Sequence, residues 1–163
     1  MTGKTHMMGG IAAATAVAYY YGFEPVTMAA AGTVGALLPD LCHTKSKIGR
    51  KFPLLSTLIS SVFGHRTFTH SLLFLLIIYL IAKTYIPNDS LSVGLLIGMA
   101  SHLLLDAGTV NGIKFLFPAT IKVRLPFYVR TGSTGEQVVL AALTMVTCYY
   151  IAGFCGISIP IHF

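Results

Sequence analysis

Five long apolar runs with at most one charged residue each occur along the chain, separated by polar stretches. The runs cover residues 7–23, 26–42, 68–86, 91–108 and 138–159. A helix that crosses a membrane needs about 17–25 largely apolar residues, and each run has that length. The pattern predicts an all-α, polytopic membrane helix bundle with about five transmembrane helices. The second run is the weakest of the five, because it is short and meets Pro39 and Asp40 near its end.

Two further apolar stretches are too short or too charged to cross a bilayer. Residues 52–63 carry no charge but are too few for a span, which predicts an interfacial or re-entrant segment. Residues 113–129 mix apolar side chains with Lys114, Lys122 and Arg124 and with two prolines. Such a mixture is typical of a loop that lies on lipid head groups. A single integral membrane domain over residues 1–163 is therefore expected.

The composition agrees with a membrane protein and excludes several other classes. Apolar residues make up 55% of the 163 residues, charged residues only 10%, and the mean hydropathy is +0.77. A soluble domain usually carries about 25% charged residues, so an ordinary soluble enzyme is excluded. The cysteines, Cys42, Cys148 and Cys155, form no CxxC pair and no even set, so no disulfide framework is expected. The first run lacks a clear cleavage site and is predicted to be a retained helix.

The basic residues are distributed unevenly between the two sides of the predicted membrane. Of the 11 lysines and arginines, all but Lys83 precede the first run or lie in the two long loops. Positive residues favour the cytoplasmic side, so the N-terminus and both long loops are expected there, and the C-terminus outside. A pI near 9.4 would suggest nucleic acid in a soluble protein. Here anionic head groups explain the charge better, so no nucleic-acid partner is expected.

Side chains able to bind a metal or transfer a proton gather at the cytoplasmic ends of the predicted helices. They are His6, Asp40, His43, His65, His70, His102, Asp106 and Glu136. An aspartate deep in a span costs a few kcal/mol, so it needs a partner or a water-filled cavity. His102 and Asp106 are four residues apart and share one face of a helix. Imidazole and carboxylate groups that converge from one face are suited to zinc.

Each of these groups also has a simpler interpretation. Asp106 could serve only as a hydrogen-bond partner of His102. His65 and His70 could form an interfacial pair beside a helix capped by Thr67 or Thr69. Residues 38–43 could be a helix stop followed by polar interface residues. The occurrence of three such groups at one depth favours a shared metal site over three separate structural roles.

The order of these motifs resembles the YdjM-like family of bacterial inner-membrane metal-dependent hydrolases. The resemblance rests on His6, on LPDLCH at 38–43, on GHRTFTHS at 64–71 and on HLLLDAGTVNG at 102–112, with Pro118 behind it. The family commonly shows Pro-Asp-Leu-Asp-His, whereas this chain has Cys42 at the second acidic position. If that aspartate is a ligand elsewhere, either Cys42 replaces it as a soft ligand or this site holds a different set of metals.

The family is distantly similar to zinc-dependent phospholipase C, which implies a phosphoesterase in the bacterial inner membrane. Because the predicted site lies where lipid head groups lie, the expected substrate is a phosphorylated lipid. The expected cofactor is a divalent metal, most simply Zn²⁺, as about one or two ions. Its expected ligands are His65, His70, His102, Asp106 and Asp40, with His6 and His43 next. Arg66, or Lys122 or Arg124, would hold a phosphate. Glu136 or an unliganded Asp40 would be the general base.

A divalent-metal transporter or a metal-sensing membrane protein is the alternative from another functional class. Such a protein would also place histidine and aspartate inside the membrane. A transporter, however, needs ligands spread through the membrane depth to make a path. The sequence has none in the outer half of the predicted helices, which favours the hydrolase.

Overall fold

The computed structural model describes residues 1–42, 68–119 and 121–157, with the side chains of residues 41 and 42 left aside. These residues form five α-helices and one short 3₁₀ helix. The helices are α1 (Gly3–Tyr21), α2 (Pro25–Gly35), α3 (Leu72–Tyr85), α4 (Asp89–Ala107) and α5 (Thr134–Phe154), and the 3₁₀ helix (Leu38–Cys42) follows α2. The predicted all-α architecture is confirmed, since no strand beyond isolated bridges occurs in the described ranges.

The number of membrane-crossing helices differs from the prediction of about five. Only α4 and α5 are both long and apolar enough to cross a bilayer among the helices of the described residues. With 11 and 14 residues, α2 and α3 are shorter than the roughly 17 residues that a span needs. The second run is interrupted because Pro39 has no N–H group to continue an α-helix, and the chain turns into the 3₁₀ helix. About five spans are therefore not confirmed.

The connection between α1 and α2 shows why two helices form there rather than one. Gly22 adopts a left-handed conformation with φ 72°, which ends α1. Glu24 then caps α2 by accepting hydrogen bonds from the backbone N–H groups of Val26 and Thr27. Hydrogen bonding from Thr27 holds the pKa of Glu24 below its usual value, so the cap is ionised at neutral pH. Pro25 follows at the first position of α2, where a missing N–H costs nothing.

Three helices, α1, α2 and α4, are joined through glycines that let their backbones touch. A Cβ atom on Gly98 of α4 would collide with the carbonyl oxygen of Gly32 on α2, and one on Gly35 would collide with the carbonyl of Leu95. A Cβ on Gly10 of α1 would meet the same carbonyl oxygen of Gly32. Close approach through small residues is how helices associate in membranes, where lipid removes the hydrophobic drive between them.

The interior and the surface of this bundle are reversed relative to a soluble protein. The buried side chains are mostly small or polar, among them Ala14, Ala18, Thr15, His102 and Asp106. Large apolar residues point outward instead, and they include Leu72, Leu76, Leu80, Val138, Met145 and Ile151. Apolar surface of this extent is typical of contact with lipid rather than water. The pattern supports the predicted transmembrane character.

The connection between α4 and α5 contains no helix among its described residues. Ile113 and Val123 exchange two backbone hydrogen bonds, with N–O distances of 3.0 and 2.8 Å. Val129 N–H donates to the Gly108 carbonyl at 3.0 Å, which holds the far part of the loop against the end of α4. The predicted non-helical character of residues 113–129 is confirmed for the part that the structure describes, and residues 52–63 lie outside that part.

Candidate metal centre

Five of the predicted ligands meet at one end of the bundle, although they come from four separate segments. His6 lies in the first turns of α1 and Asp40 in the 3₁₀ helix after α2. His70 lies two residues before α3 begins, and His102 and Asp106 lie in the last turns of α4. The glycine contacts of α1, α2 and α4 bring these segments close enough for the side chains to converge. Apart from Asp40, the side chains of the cluster are fully buried or nearly so, namely His6, His70, His102 and Asp106.

Asp106 is at the centre of the cluster, and its two oxygens face different neighbours. Oδ1 lies 3.1 Å from Nε2 of His6. Oδ2 lies 3.5 Å from Nε2 of His70 and 3.6 Å from Nε2 of His102. The amino nitrogen of Met1 also lies 2.5 Å from Oδ1, in a buried ion pair. The predicted pairing of His102 with Asp106 on one helix face is therefore present, within a larger group.

Three of the facing atoms form a triangle with nearly equal sides. Nε2 of His70 and Nε2 of His102 are 3.2 Å apart, and each is 3.5–3.6 Å from Oδ2 of Asp106. Two ligand atoms bound at about 2.0–2.1 Å to one tetrahedral ion lie about 3.3 Å from each other. The triangle thus has the size of one face of a tetrahedral zinc site. Oδ1 of Asp40 lies 3.8 and 4.0 Å from the same two imidazole nitrogens, near the position of a fourth ligand.

Hydrogen bonds outside the cluster fix the orientation of its histidines. Nδ1 of His102 lies 2.6 Å from the carbonyl oxygen of Ala36. A carbonyl can only accept, so Nδ1 carries the proton and Nε2 of a neutral ring turns its lone pair toward the cluster. Nδ1 of His70 contacts the Thr69 hydroxyl at 3.1 Å. The ring of His6 stacks on that of His102, with centroids 3.7 Å apart. Metal-binding histidines are held in this way, by a partner on the second nitrogen.

Two buried polar atoms in the cluster have no hydrogen-bond partner in the described part of the chain. They are Nδ1 of His6 and Oδ2 of Asp106. Leaving a buried polar atom unsatisfied costs about 1–3 kcal/mol, and more when the group is charged. Oδ2 is the atom that completes the triangle with His70 and His102. The donor set of nitrogens and oxygens, its size and this unsatisfied oxygen together fit a divalent metal ion.

The sequence matches the family described as YdjM inner membrane protein over residues 1–159. The chain belongs to the YdjM family. YvsG of Bacillus subtilis (strain 168) is 72% identical over 150 residues, which is 92% of this chain and 94% of YvsG. Inner membrane protein YdjM of Escherichia coli (strain K12) is 40% identical over 114 residues, 66% of this chain and 58% of that protein. Inner membrane protein YbcI of the same organism is 31% identical over 143 residues, 75% of this chain and 78% of YbcI.

Membership of the YdjM family confirms the resemblance seen in the motifs and supports a bacterial inner-membrane location. No solved structure matches the chain. The names of these YdjM-family relatives do not state a reaction, a metal or a substrate. The chemistry of the site therefore has to be argued from the site itself.

Glu136, predicted as a general base, has a different setting in this YdjM-family protein. Its Oε1 accepts hydrogen bonds from the Thr2 backbone N–H at 2.5 Å and from the Thr5 hydroxyl at 2.6 Å. Its Oε2 accepts from the Gly132 N–H at 2.6 Å. The carboxylate thus ties the start of α5 to the start of α1, directly before His6. Sequence reasoning missed this link because the partners are backbone groups and a threonine more than 130 residues away.

Other predicted residues are either outside the described part of the chain or away from the cluster. His43, His65 and Arg66 lie outside the described residues, as does the side chain of Cys42. Lys122 and Arg124 are exposed on the loop between α4 and α5. Their predicted roles stay predictions.

The predicted cap of α3 needs a correction. The cap is Ser71, whose hydroxyl accepts from the Phe74 N–H at 3.2 Å. Thr69, one of the two predicted caps, instead faces His70, because the helix begins later than the apolar pattern indicates. His70 therefore lies directly before the Ser71 cap of the helix. The run THS, in which a hydroxyl residue stands on each side of the histidine, is the signal that could have suggested this arrangement.

Proposed function

We propose that the protein is a membrane-embedded, metal-dependent hydrolase that cleaves a phosphoester of a phosphorylated lipid at the cytoplasmic leaflet. The observation that carries the proposal is the triangle of His70 Nε2, His102 Nε2 and Asp106 Oδ2, with sides of 3.2, 3.5 and 3.6 Å. Three protein ligands that leave one position open are the usual arrangement of catalytic zinc sites.

In this proposal, His70, His102 and Asp106 would hold the ion and leave one position to water, while Asp40 and His6 lie beside the site as candidate further ligands. A bound Zn²⁺-type ion supplies a water whose pKa lies near 7, and hence hydroxide at the pH of the cell. Asp106 presents Oδ1 toward His6 and Oδ2 toward the other two histidines, so both of its oxygens would be available as metal ligands. About one or two ions per chain are consistent with this donor set.

The chain's own groups supply orientation and proton transfer. Asp40 is the least buried member of the cluster, with 15% of its side chain exposed against 2% for Asp106. Substrate and water therefore approach from the side of the 3₁₀ helix. When it is not a ligand, Asp40 can accept the proton of the attacking water and return it to the leaving oxygen. The Ala36 carbonyl keeps the His102 ring fixed during this exchange.

The membrane setting suggests the substrate. The cluster lies at the end of the bundle where α1 and α5 begin and α4 ends, and ten of the 11 basic residues belong to the predicted cytoplasmic side. We infer five membrane-embedded helices with the N-terminus inside and the C-terminus outside. The phosphates of lipid head groups lie at this depth of the membrane. Arg66 stays the predicted clamp for that phosphate, because guanidinium binds it with two hydrogen bonds.

The test uses the purified protein in detergent micelles with a panel of phospholipids and polyprenyl phosphates. Organic and aqueous products are followed with and without a chelator. We expect release of a phosphorylated head group or of inorganic phosphate, and loss of at least about 100-fold in rate for Asp106→Asn. Asp89→Asn is the matched control, because Asp89 is exposed at the opposite end of the same helix and should keep full activity.

Three outcomes would count against the proposal. Release of fatty acid would indicate cleavage at the acyl ester. Turnover that survives both the chelator and Asp106→Asn would remove the metal from the mechanism. Movement of metal into liposomes without any lipid turnover would favour the transporter.

A further inference from the structure

The loop between α4 and α5 is strongly basic and has no acidic residue to balance it. Residues 108–133 contain Lys114, Lys122, Arg124 and Arg130 and no aspartate or glutamate. The ion pairs among the residues that the structure describes all lie in the buried cluster around Asp106. The exposed charges of Lys122, Arg124 and Arg130 are therefore available to an external anion.

Three of these cations surround two adjoining cavities. One cavity, of about 520 Å³, is lined by Val110, Asn111, Lys122 and Arg124. The other, of about 330 Å³, is lined by Val110, Asn111, Arg130 and Thr131. Val110 and Asn111 line both cavities, so the three cations lie around one continuous stretch of surface. We call Asn111, Lys122, Arg124 and Arg130 the basic surface.

The basic surface is held in place by the loop. The guanidinium of Arg124 stacks over the ring of Tyr128 at 4.3 Å, and its Nη1 donates to the Val110 carbonyl at 3.3 Å. Val110 N–H in turn donates to the Val129 carbonyl at 3.3 Å, next to Arg130. A cation already fixed before binding loses less conformational entropy when it meets its ligand.

Exposed apolar residues are close to these cations in the sequence of the loop, Ile121 directly before Lys122 and Phe127 three residues after Arg124. Phe127 is 91% exposed and Ile121 62% exposed, although both are large apolar residues. Basic and apolar side chains that alternate on one surface are typical of segments that lie at the boundary between head groups and acyl chains. A soluble anion would use the cations but has no need of the apolar side chains.

We propose that the basic surface binds the phosphate of an anionic phospholipid, with Phe127 and Ile121 inserted among the acyl chains beside it. The lipid is a resident ligand of the loop, bound apart from the metal cluster. The cluster and the basic surface are joined through the end of α4, where the Thr109 hydroxyl donates to the Asp106 carbonyl at 2.8 Å. The assignment does not depend on hydrolase activity, since it uses none of the five clustered ligands.

The experiment counts lipids bound to the purified protein in detergent by native mass spectrometry. Phosphatidylglycerol is compared with zwitterionic phosphatidylcholine at equal concentration. We expect the wild type to retain phosphatidylglycerol preferentially. The double variant Arg124→Ala/Arg130→Ala should bind it about 10- to 30-fold more weakly, because each basic residue near an anionic surface contributes a separate attraction. Lys83→Ala, which removes a cation outside the loop, should bind it like the wild type.

Further arms separate the lipid from other anions and from the metal centre. Asp106→Asn should lose the proposed metal but keep the lipid, so the two proposals can fail independently. An unchanged melting temperature of the double variant shows that it folds. Equal retention of both lipids, or displacement of phosphatidylglycerol by equimolar glycerol phosphate, would overturn the assignment. So would a folded double variant that keeps the lipid and loses phosphoester hydrolysis, because its arginines would then serve the reaction.

Discussion

Helices α4 and α5 have nearly the same length and apolarity but lie in different surroundings. They contain 19 and 21 residues, and the most apolar stretch of 18 residues has a mean hydropathy of 1.5 in α4 and 1.6 in α5. In α4, 39% of that stretch is buried inside the bundle, whereas in α5 only 6% is buried. Length and hydropathy thus identify both helices as candidate membrane spans. They do not distinguish α4, which carries the site, from α5, which faces lipid.

The difference comes from the residues that interrupt the apolar pattern. In α4, Gly94 and Gly98 allow the backbone of α2 to approach, and His102 and Asp106 then face the interior on the next turns. In α5, the buried polar residues are Glu136 at the start and Thr147. Small residues therefore decide where a helix is buried, and the polar residues one turn away decide what the buried face can do.

The largest effect is expected from Gly98→Leu, which would force α2 and α4 apart. The new side chain has no space beside the Gly32 carbonyl and the Ala36 backbone, and overpacking alone costs about 1–3 kcal/mol or more. We expect a melting temperature in detergent lower by about 10 °C or more, and loss of bound metal. Ala142→Leu on the exposed face of α5 is the control. Similar melting temperatures for the two variants would contradict the contrast between the helices.

His102→Ala is expected to weaken metal binding more than about 100-fold with a smaller effect on folding. Removal of a residue that only hydrogen-bonds a metal ligand lowers the metal affinity about 10- to 100-fold, so removal of a ligand itself should lower it further. Competition with a chromogenic chelator measures the change. His162→Ala, at the predicted opposite side of the membrane, should bind metal like the wild type. Equal affinity of His102→Ala and the wild type would exclude His102 as a ligand.

Glu136→Gln should have an intermediate effect, about tenfold weaker metal binding, because Glu136 acts on His6 only through the start of α1. Metal affinity and the rate at saturating metal are both measured. A lower affinity with an unchanged rate fits the positioning role. Unchanged affinity with a rate that falls more than about 100-fold would instead return Glu136 to the predicted role of general base.

The smallest effect is expected from Met145→Leu on α5. Met145 is 68% exposed, and exchange of these two apolar side chains on a lipid-facing surface should change the free energy of unfolding by less than about 0.5 kcal/mol. Denaturation in mixed micelles measures it. A loss several times larger would mean that this face of α5 packs against protein.

The sequence predicted the parts of this structure that follow from local patterns. Each of the five apolar runs overlaps one α-helix, the second also overlaps the 3₁₀ helix, and the four-residue spacing placed His102 and Asp106 on one face. The position of His6, Asp40 and His70 at the cytoplasmic ends of the predicted helices also grouped them with this pair, because helix ends on one side of a membrane come together in a bundle.

Contacts that depend on the backbone of a distant segment could not be predicted. The contact of His102 with the Ala36 carbonyl involves a backbone group, so the residue type at position 36 does not predict it. The three residues that donate to Glu136 likewise resemble ordinary residues near helix starts. Pro39 indicated an interruption of the second run, but not that α2 ends as early as Gly35. Long-range pairing of this kind is set by how closely the helices approach, which depends on the glycines and not on hydropathy.

The most direct test of the central claim is the metal content of the purified protein after loading with Zn²⁺ and removal of free ions. The account predicts about one or two ions per chain in the wild type and in Asp89→Asn, and at least one fewer in Asp106→Asn. Elemental analysis measures all three proteins in the same detergent. A wild type that stays metal-free, or an Asp106→Asn protein with the same metal content as the wild type, would contradict the account.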